Sequence, residues 1–127
     1  MSKRIVRTEE APEAIGPYSQ GVVAGGFVYT AGQLALDPKT GQLVPGDVRI
    51  QTKRVMENIK AILESAGTSF ANVVKTTVFL RDMNDFGAMN EIYGSYFQEN
   101  PPVRSTFQVA KLPRDGAVEI EVVALLK

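Results

Sequence analysis

Ile15-Gly16-Pro17-Tyr18-Ser19-Gln20-Gly21-Val22-Val23-Ala24-Gly25-Gly26-Phe27-Val28-Tyr29-Thr30-Ala31-Gly32-Gln33-Leu34-Ala35-Leu36 carries no charge at all. Its length is in the range of a membrane-spanning helix. Five glycines, Pro17, Gln20 and Gln33 argue against that reading. Gly25-Gly26 stands between two β-rich runs, where a hairpin needs residues that accept positive φ. The stretch therefore predicts two strands, Tyr18–Ala24 and Phe27–Leu36, rather than a spanning segment.

The hairpin opens an alternation of strands and helices. Upstream, residues 3–7 read as a short strand, and two prolines and a glycine make residues 11–17 a loop. Downstream, Asp37-Pro38-Lys39-Thr40-Gly41 is a turn. Asp47 is placed to cap a helix in which Val48, Thr52, Val55, Ile59, Ile62, Leu63 and Ala66 recur every three or four residues, and Gly67 suits its end. β-branched residues mark 73–80 as a strand. Asn84 or Asp85 caps a second helix with Phe86, Met89, Tyr93, Tyr96 and Phe97 inward, ended by Asn100-Pro101-Pro102. Residues 103–109 and 117–126 read as two strands joined in a hairpin by Leu112-Pro113-Arg114-Asp115-Gly116. The order β-β-β-α-β-α-β-β predicts an α+β domain over 1–127, a mixed sheet with both helices on one face.

In the last strand Val118, Ile120, Val122 and Ala124 alternate with Glu119, Glu121, Val123 and Leu125. A sheet face open to water should be polar throughout, and the second set is half apolar. Either a second subunit covers that face, or the strand's end packs under the first segment. The covering subunit is the favoured reading.

Composition narrows the chemistry. The 127 residues contain 14 Lys and Arg and 14 Asp and Glu, so the net charge is 14 − 14 = 0. That balance disfavours a dedicated nucleic-acid binder or a polybasic membrane anchor. No Cys and no His excludes disulfides, thiolate nucleophiles, zinc fingers and His-based triads. Gly16 and Gly21, like Gly41 and Gly46, have phosphate-loop spacing but lack the Lys that must follow. With no signal-peptide core either, the expected location is the cytoplasm.

Arg104 lies one or two positions into a strand just after Pro101-Pro102, sharing a face with Thr106 and Gln108. A guanidinium there is a fork for a small carboxylate, or half of a cross-strand or intersubunit ion pair. The ion pair is favoured on residues alone. Glu119 and Glu121 share a face, and for Glu121 a solvated or salt-bridged edge suffices. If the last two strands pair, Gln108 lies near Glu119 and Arg104 sits roughly 13 Å from Glu119 between backbones. Tyr18 either touches a ligand or packs with a wet hydroxyl. Asn90 reads as a surface residue of the second helix.

Ile15-Gly16-Pro17-Tyr18-Ser19-Gln20, Ala31-Gly32-Gln33 and Asp37-Pro38-Lys39-Thr40-Gly41 resemble the RidA (YjgF-like) family of imine/enamine deaminases. So do Lys75-Thr76-Thr77-Val78-Phe79-Leu80, Met83-Asn84-Asp85-Phe86, Pro102-Val103-Arg104-Ser105 and Val118-Glu119-Ile120. The resemblance implies a chorismate-mutase-like fold and a homotrimer whose sheets line a barrel, with sites between subunits. It implies hydrolysis of 2-imino and 2-enamino acids, released by pyridoxal-phosphate enzymes, to 2-keto acids and ammonia. The protein itself would hold no cofactor and no metal. Arg104 matches the family's carboxylate-binding arginine and Glu119 the acid beside the attacking water. Tyr18 would wall the pocket, Asn90 would lie near the cleft, and Gly32 and the Thr106 backbone would bond the imine end. Thr106 stands where many members have Cys, and Ala31 where some have Ser. A non-catalytic small-carboxylate binder or a chaperone-like trimer is the alternative, followed by an RNA-directed endoribonuclease or translation inhibitor.

Overall fold

The helix expected after Asp47 is α1, Val48–Ala66, in a computed structural model that describes residues 2–127. The Asp47 carboxylate accepts from Ile50 N, satisfying an orphan N–H of the first turn. Gly67 ends the helix at φ 99°, a conformation that favours glycine, and its N–H bonds back to Leu63 O. All seven residues of the predicted stripe are buried. So are Gln51, Met56 and Asn58, which lie beside it.

Six strands make one mixed sheet. They are β1 (Arg4–Val6), β2 (Gly21–Ala24), β3 (Phe27–Thr30), β4 (Val73–Leu80), β5 (Val103–Gln108) and β6 (Val118–Leu125), in the spatial order β1-β2-β3-β6-β4-β5. The second helix, α2 (Phe86–Gly94), links β4 to β5. Those two strands run parallel, as a helical crossover allows, and every other pair is antiparallel. The predicted element order is the observed one, and α1 and α2 pack together on one face.

Gly25 and Gly26 both take positive φ, 59° and 83°, as a type I′ hairpin turn demands. The hairpin's arms are shorter than expected. Tyr18 and its neighbours precede the ladder, and after Thr30 the chain rejoins β6 only through a bridge between Gln33 and Ile120. Helix α2 also stops short, at Gly94 rather than Asn100, and hydrogen-bonded turns carry the chain from there to Phe97.

The expected hairpin between the last two strands does not form. β4 lies between them, with Phe79 facing Phe107 on one side and Glu119 on the other. The Leu112–Gly116 segment is still a turn, with Arg114 and Asp115 at positive φ, but it spans across the end of β4. Turn chemistry announces that a chain reverses, not which strand it then pairs with. Nor is Glu121 at an edge, because β6 is an interior strand.

Val118, Ile120, Val122 and Ala124 are buried against the helices. The opposite face is uncovered within the chain. Register places Ile5, Tyr29, Leu125, Val103 and Phe107 on it, together with Glu119 and Glu121. Val103 is 68% exposed and Phe107 51%. The end of β6 does not tuck under the first segment, since Leu125 is itself exposed.

Buried polar side chains tie loops to α1. Asn58 is fully buried, donates to Leu34 O and Leu36 O, and accepts from Arg54 Nε. Gln51 Oε1 accepts from Ala117 N, two residues before Glu119. We expect Asn58→Ala to cost on the order of 2–4 kcal/mol, because it opens a cavity and strands the buried Leu34 carbonyl and the part-buried Leu36 carbonyl. Denaturant titration checks this through the midpoint at unchanged slope.

Candidate functional site

The six residues singled out in the sequence fall into three places in one chain. Arg104 and Thr106 lie on the helix-facing side of β5, and Asn90 lies on α2 above them. Glu119 and Gly32 lie together on the open face near the middle of the sheet. Tyr18 is in the loop before β2, toward the opposite edge.

Arg104 pairs with Thr76 in the parallel ladder, so both side chains point toward the helices. Its Nη1 donates to Asn90 Oδ1 at 2.7 Å. The guanidinium carbon lies 4.8 Å from the centre of the Tyr93 ring and 5.3 Å from that of Phe86. Tyr93 is buried and its hydroxyl hydrogen-bonds Thr76 at 2.7 Å. Burial pushes the Tyr93 hydroxyl above its ordinary pKa, while the Thr76 hydrogen bond and the Arg104 charge pull it back. The cross-strand ion pair weighed for Arg104 is absent. Among the described residues the one salt bridge joins Arg49 to Glu91. A cavity of about 340 Å³ opens beside Arg104, lined also by Gly94, Phe97, Pro101 and Pro102.

β5 is an edge strand, and its free edge can be assigned by parity. Val109 N donates to Leu80 O, so the odd-numbered residues aim their main-chain groups at β4. The N–H and C=O of Arg104, Thr106 and Gln108 then point outward. The Thr106 hydroxyl itself is buried without a hydrogen-bond partner.

The Glu119 carboxyl is only partly exposed. Burial, and secondarily the negative charge of Glu121, raises it above the usual glutamate range. Gly32 makes room for it: a Cβ there would stand 2.9 Å from Glu119 Cδ and Oε2. We expect Gly32→Ala to displace this carboxylate with little change in helix content, checked by a crystal structure of the variant alongside circular dichroism.

Arg104 and Glu119 do not meet within a chain. Thr76 and Phe79, their partners on β4, are three residues apart and so point to opposite faces. Two strand spacings and three residues put the backbones roughly 14 Å apart. The separation resembles the one expected from a hairpin, but its cause is different, and it adds the intervening sheet.

Tyr18 is exposed rather than packed in the core, and its hydroxyl accepts weakly from Ile15 N at 3.3 Å. It lines a cavity of about 770 Å³ with the N-terminal loop. Buried Gln20 shapes that loop, donating to the carbonyls of Thr8, Ala11 and Pro12.

The sequence and the fold are matched in other proteins. A family profile described as Endoribonuclease L-PSP covers residues 8–126. The chain belongs to that YjgF/RidA family. It is 53% identical over 124 residues to a RutC family protein of Pyrococcus abyssi, covering 98% of each. It is also 53% identical over 123 residues to the 2-iminobutanoate/2-iminopropanoate deaminase of Mus musculus, covering 97% of this chain and 91% of that one. The structure of E. coli TdcF with bound serine superposes with a TM-score of 0.92 at 46% identity, covering 96% and 98%.

The sequence marks Phe86 and Tyr93 only as core residues of a RidA-family fold, and their contact with Arg104 is what it misses. Phe86, Asn90 and Tyr93 stand at i, i+4 and i+7, one stripe of a helix. A strand arginine beneath that stripe is the signal that could have found the contact.

Proposed function

We propose that the protein is a 2-iminobutanoate/2-iminopropanoate deaminase working as a homotrimer in the cytoplasm, with each site shared between two chains. The observation that carries this reading is the pair of unspent groups. Among the described residues Arg104 is a guanidinium with no acidic partner, and Glu119 is a carboxylate with a raised pKa and no side-chain hydrogen bond. They point away from each other within one chain, and the apolar open face beside Glu119 is the kind of surface that a second copy covers. The identity to a mouse enzyme of that name and the likeness to a fold holding serine, itself an amino acid carboxylate, support the choice.

In this reading Arg104 clamps the substrate carboxylate. The protonated imine carbon beside it is already electrophilic, so no covalent nucleophile is required. Glu119 of the adjacent chain takes a proton from water as the oxygen adds to that carbon. The C=N bond becomes a single bond in a tetrahedral carbinolamine. Glu119 returns the proton to the nitrogen, and ammonia leaves as the carbinolamine hydroxyl gives its own proton to the freed Glu119 carboxylate and becomes the C=O of the 2-keto acid. The outward main-chain groups at Thr106 and the backbone at Gly32 hold the nitrogen end. Tyr18 closes the pocket. No cofactor or metal enters any step.

The test is a coupled assay. Threonine dehydratase supplies 2-iminobutyrate, semicarbazide competes for it, and 2-ketobutyrate is followed. The protein should speed ketobutyrate formation and suppress semicarbazone. No acceleration across several imino acids would leave the carboxylate-binder alternative in its place. Salt-sensitive RNA binding in a parallel titration would instead favour the nuclease reading, against which the balanced charge stands.

A further inference from the structure

We infer that α2 is an arginine cage, in which Phe86, Asn90 and Tyr93 hold Arg104 in its carboxylate-binding pose and Tyr93 is the principal positioning residue. The inference rests on the carboxylate-clamp part of the proposed function but not on the hydrolysis itself.

An arginine side chain has several rotatable bonds, and a ligand that must freeze them binds more weakly. Here they are already restrained. Tyr93 and Phe86 place their rings at 4.8 and 5.3 Å from the guanidinium carbon, within cation–π range. Asn90 fixes the in-plane rotation through Nη1. The three contacts come from successive turns of one helix, so they act as a unit.

The cage is itself braced. Tyr93 is 5% exposed and its hydroxyl is bonded to Thr76, which is 1% exposed. Thr76 sits directly beside Arg104 in the ladder. The ring that restrains the guanidinium is thus anchored to the same pair of strands that carries it.

The partners are also chemically selective. An acidic residue would hold Arg104 more tightly but would spend its charge. Asn90 is a neutral acceptor, and the aromatic rings engage the guanidinium through its π faces. Its remaining N–H groups and its full charge are left for a ligand. The cavity beside it has no second cation in its lining, which suits one carboxylate on an apolar tail.

The probe is 2-ketobutyrate, measured by calorimetry with the full protein, with KM and kcat taken from the coupled assay. Tyr93→Leu removes the ring, and Tyr93→Phe keeps it. Asn90→Ala alters an exposed helix position and remains informative should the buried Tyr93→Leu fail to fold. Tyr93→Leu and Asn90→Ala should each weaken 2-ketobutyrate binding about 3- to 30-fold, raising KM with kcat nearly constant. Tyr93→Phe, which keeps the ring but loses the Thr76 brace, should fall between wild type and Tyr93→Leu. Wild-type affinity in folded Tyr93→Leu and Asn90→Ala would overturn the cage. A wild-type protein that binds 2-ketobutyrate but turns nothing over would sink the deaminase reading, with the cage then decided by the affinity ratios. A wild-type protein that binds no carboxylate overturns the cage even if turnover is seen.

Discussion

Arg104→Ala should abolish most of the activity while leaving the fold intact. The guanidinium sits over two aromatic rings at the sheet's edge and pairs with no acid among the described residues, so its removal leaves no buried countercharge behind. In the proposed mechanism, what is lost is the charge-assisted, two-pronged contact to the substrate carboxylate. Such contacts are worth enough that kcat/KM should fall on the order of 10²–10³-fold. Arg104→Lys should recover little, because an ammonium supplies charge but not the fork, and it stacks less well on Phe86 and Tyr93. Thermal unfolding and steady-state kinetics on the same preparations separate the two effects. An Arg104→Ala protein as active as the wild type would return this residue to a structural role.

Glu119→Gln should produce the second large loss, in kcat rather than KM, on the order of 10²–10⁴-fold, the usual worth of a general base. It should also do something unusual for a change at a proposed catalytic residue: stabilise the protein at neutral pH. Burial and Glu121 raise the Glu119 carboxyl in the folded chain above its unfolded value. Such a group favours folding below the ordinary glutamate range, and that contribution is lost as pH rises through the raised folded value. At neutral pH the ionised carboxylate is therefore a cost that glutamine removes. The gain in melting temperature should shrink as pH falls and the wild-type carboxyl becomes protonated. The same raised value should place the acid limb of the rate profile above the range of a free glutamate. Glu121→Gln should move that limb to lower pH by removing a neighbouring negative charge. A Glu119→Gln protein less stable than wild type at neutral pH would show that this carboxylate has a partner in the assembled protein.

Much of the fold is legible in the amino-acid sequence. Helix α1 is readable to the residue because three signals agree: a cap at Asp47, a stripe of period 3.6 and a glycine at its end. The Gly25-Gly26 turn is readable because few residues tolerate its dihedrals. The placement of β5 is not. A turn rich in Pro, Asp and Gly looks the same whether the next strand pairs with its predecessor or crosses over β4. That one ambiguity misplaces Glu119 relative to Arg104 and hides their opposite orientation. The buried amides Gln51 and Asn58 are also illegible, since polar residues beside an apolar stripe read as surface. The apolar half of β6 does signal an uncovered face, and the exposed residues there are those the alternation picks out.

In the proposed mechanism Arg104 and Glu119 act on one substrate but come from different chains. Arg104→Ala and Glu119→Gln proteins, each inactive, can be unfolded together in equal amounts, refolded and assayed. A trimer assembled at random would unite an intact Arg104 with a neighbour's intact Glu119 at about a quarter of its sites, so activity should return to about that fraction of wild type. If refolded wild type is fully active and the mixture stays as inactive as its components, the two residues do not meet across an interface, and the shared site is wrong.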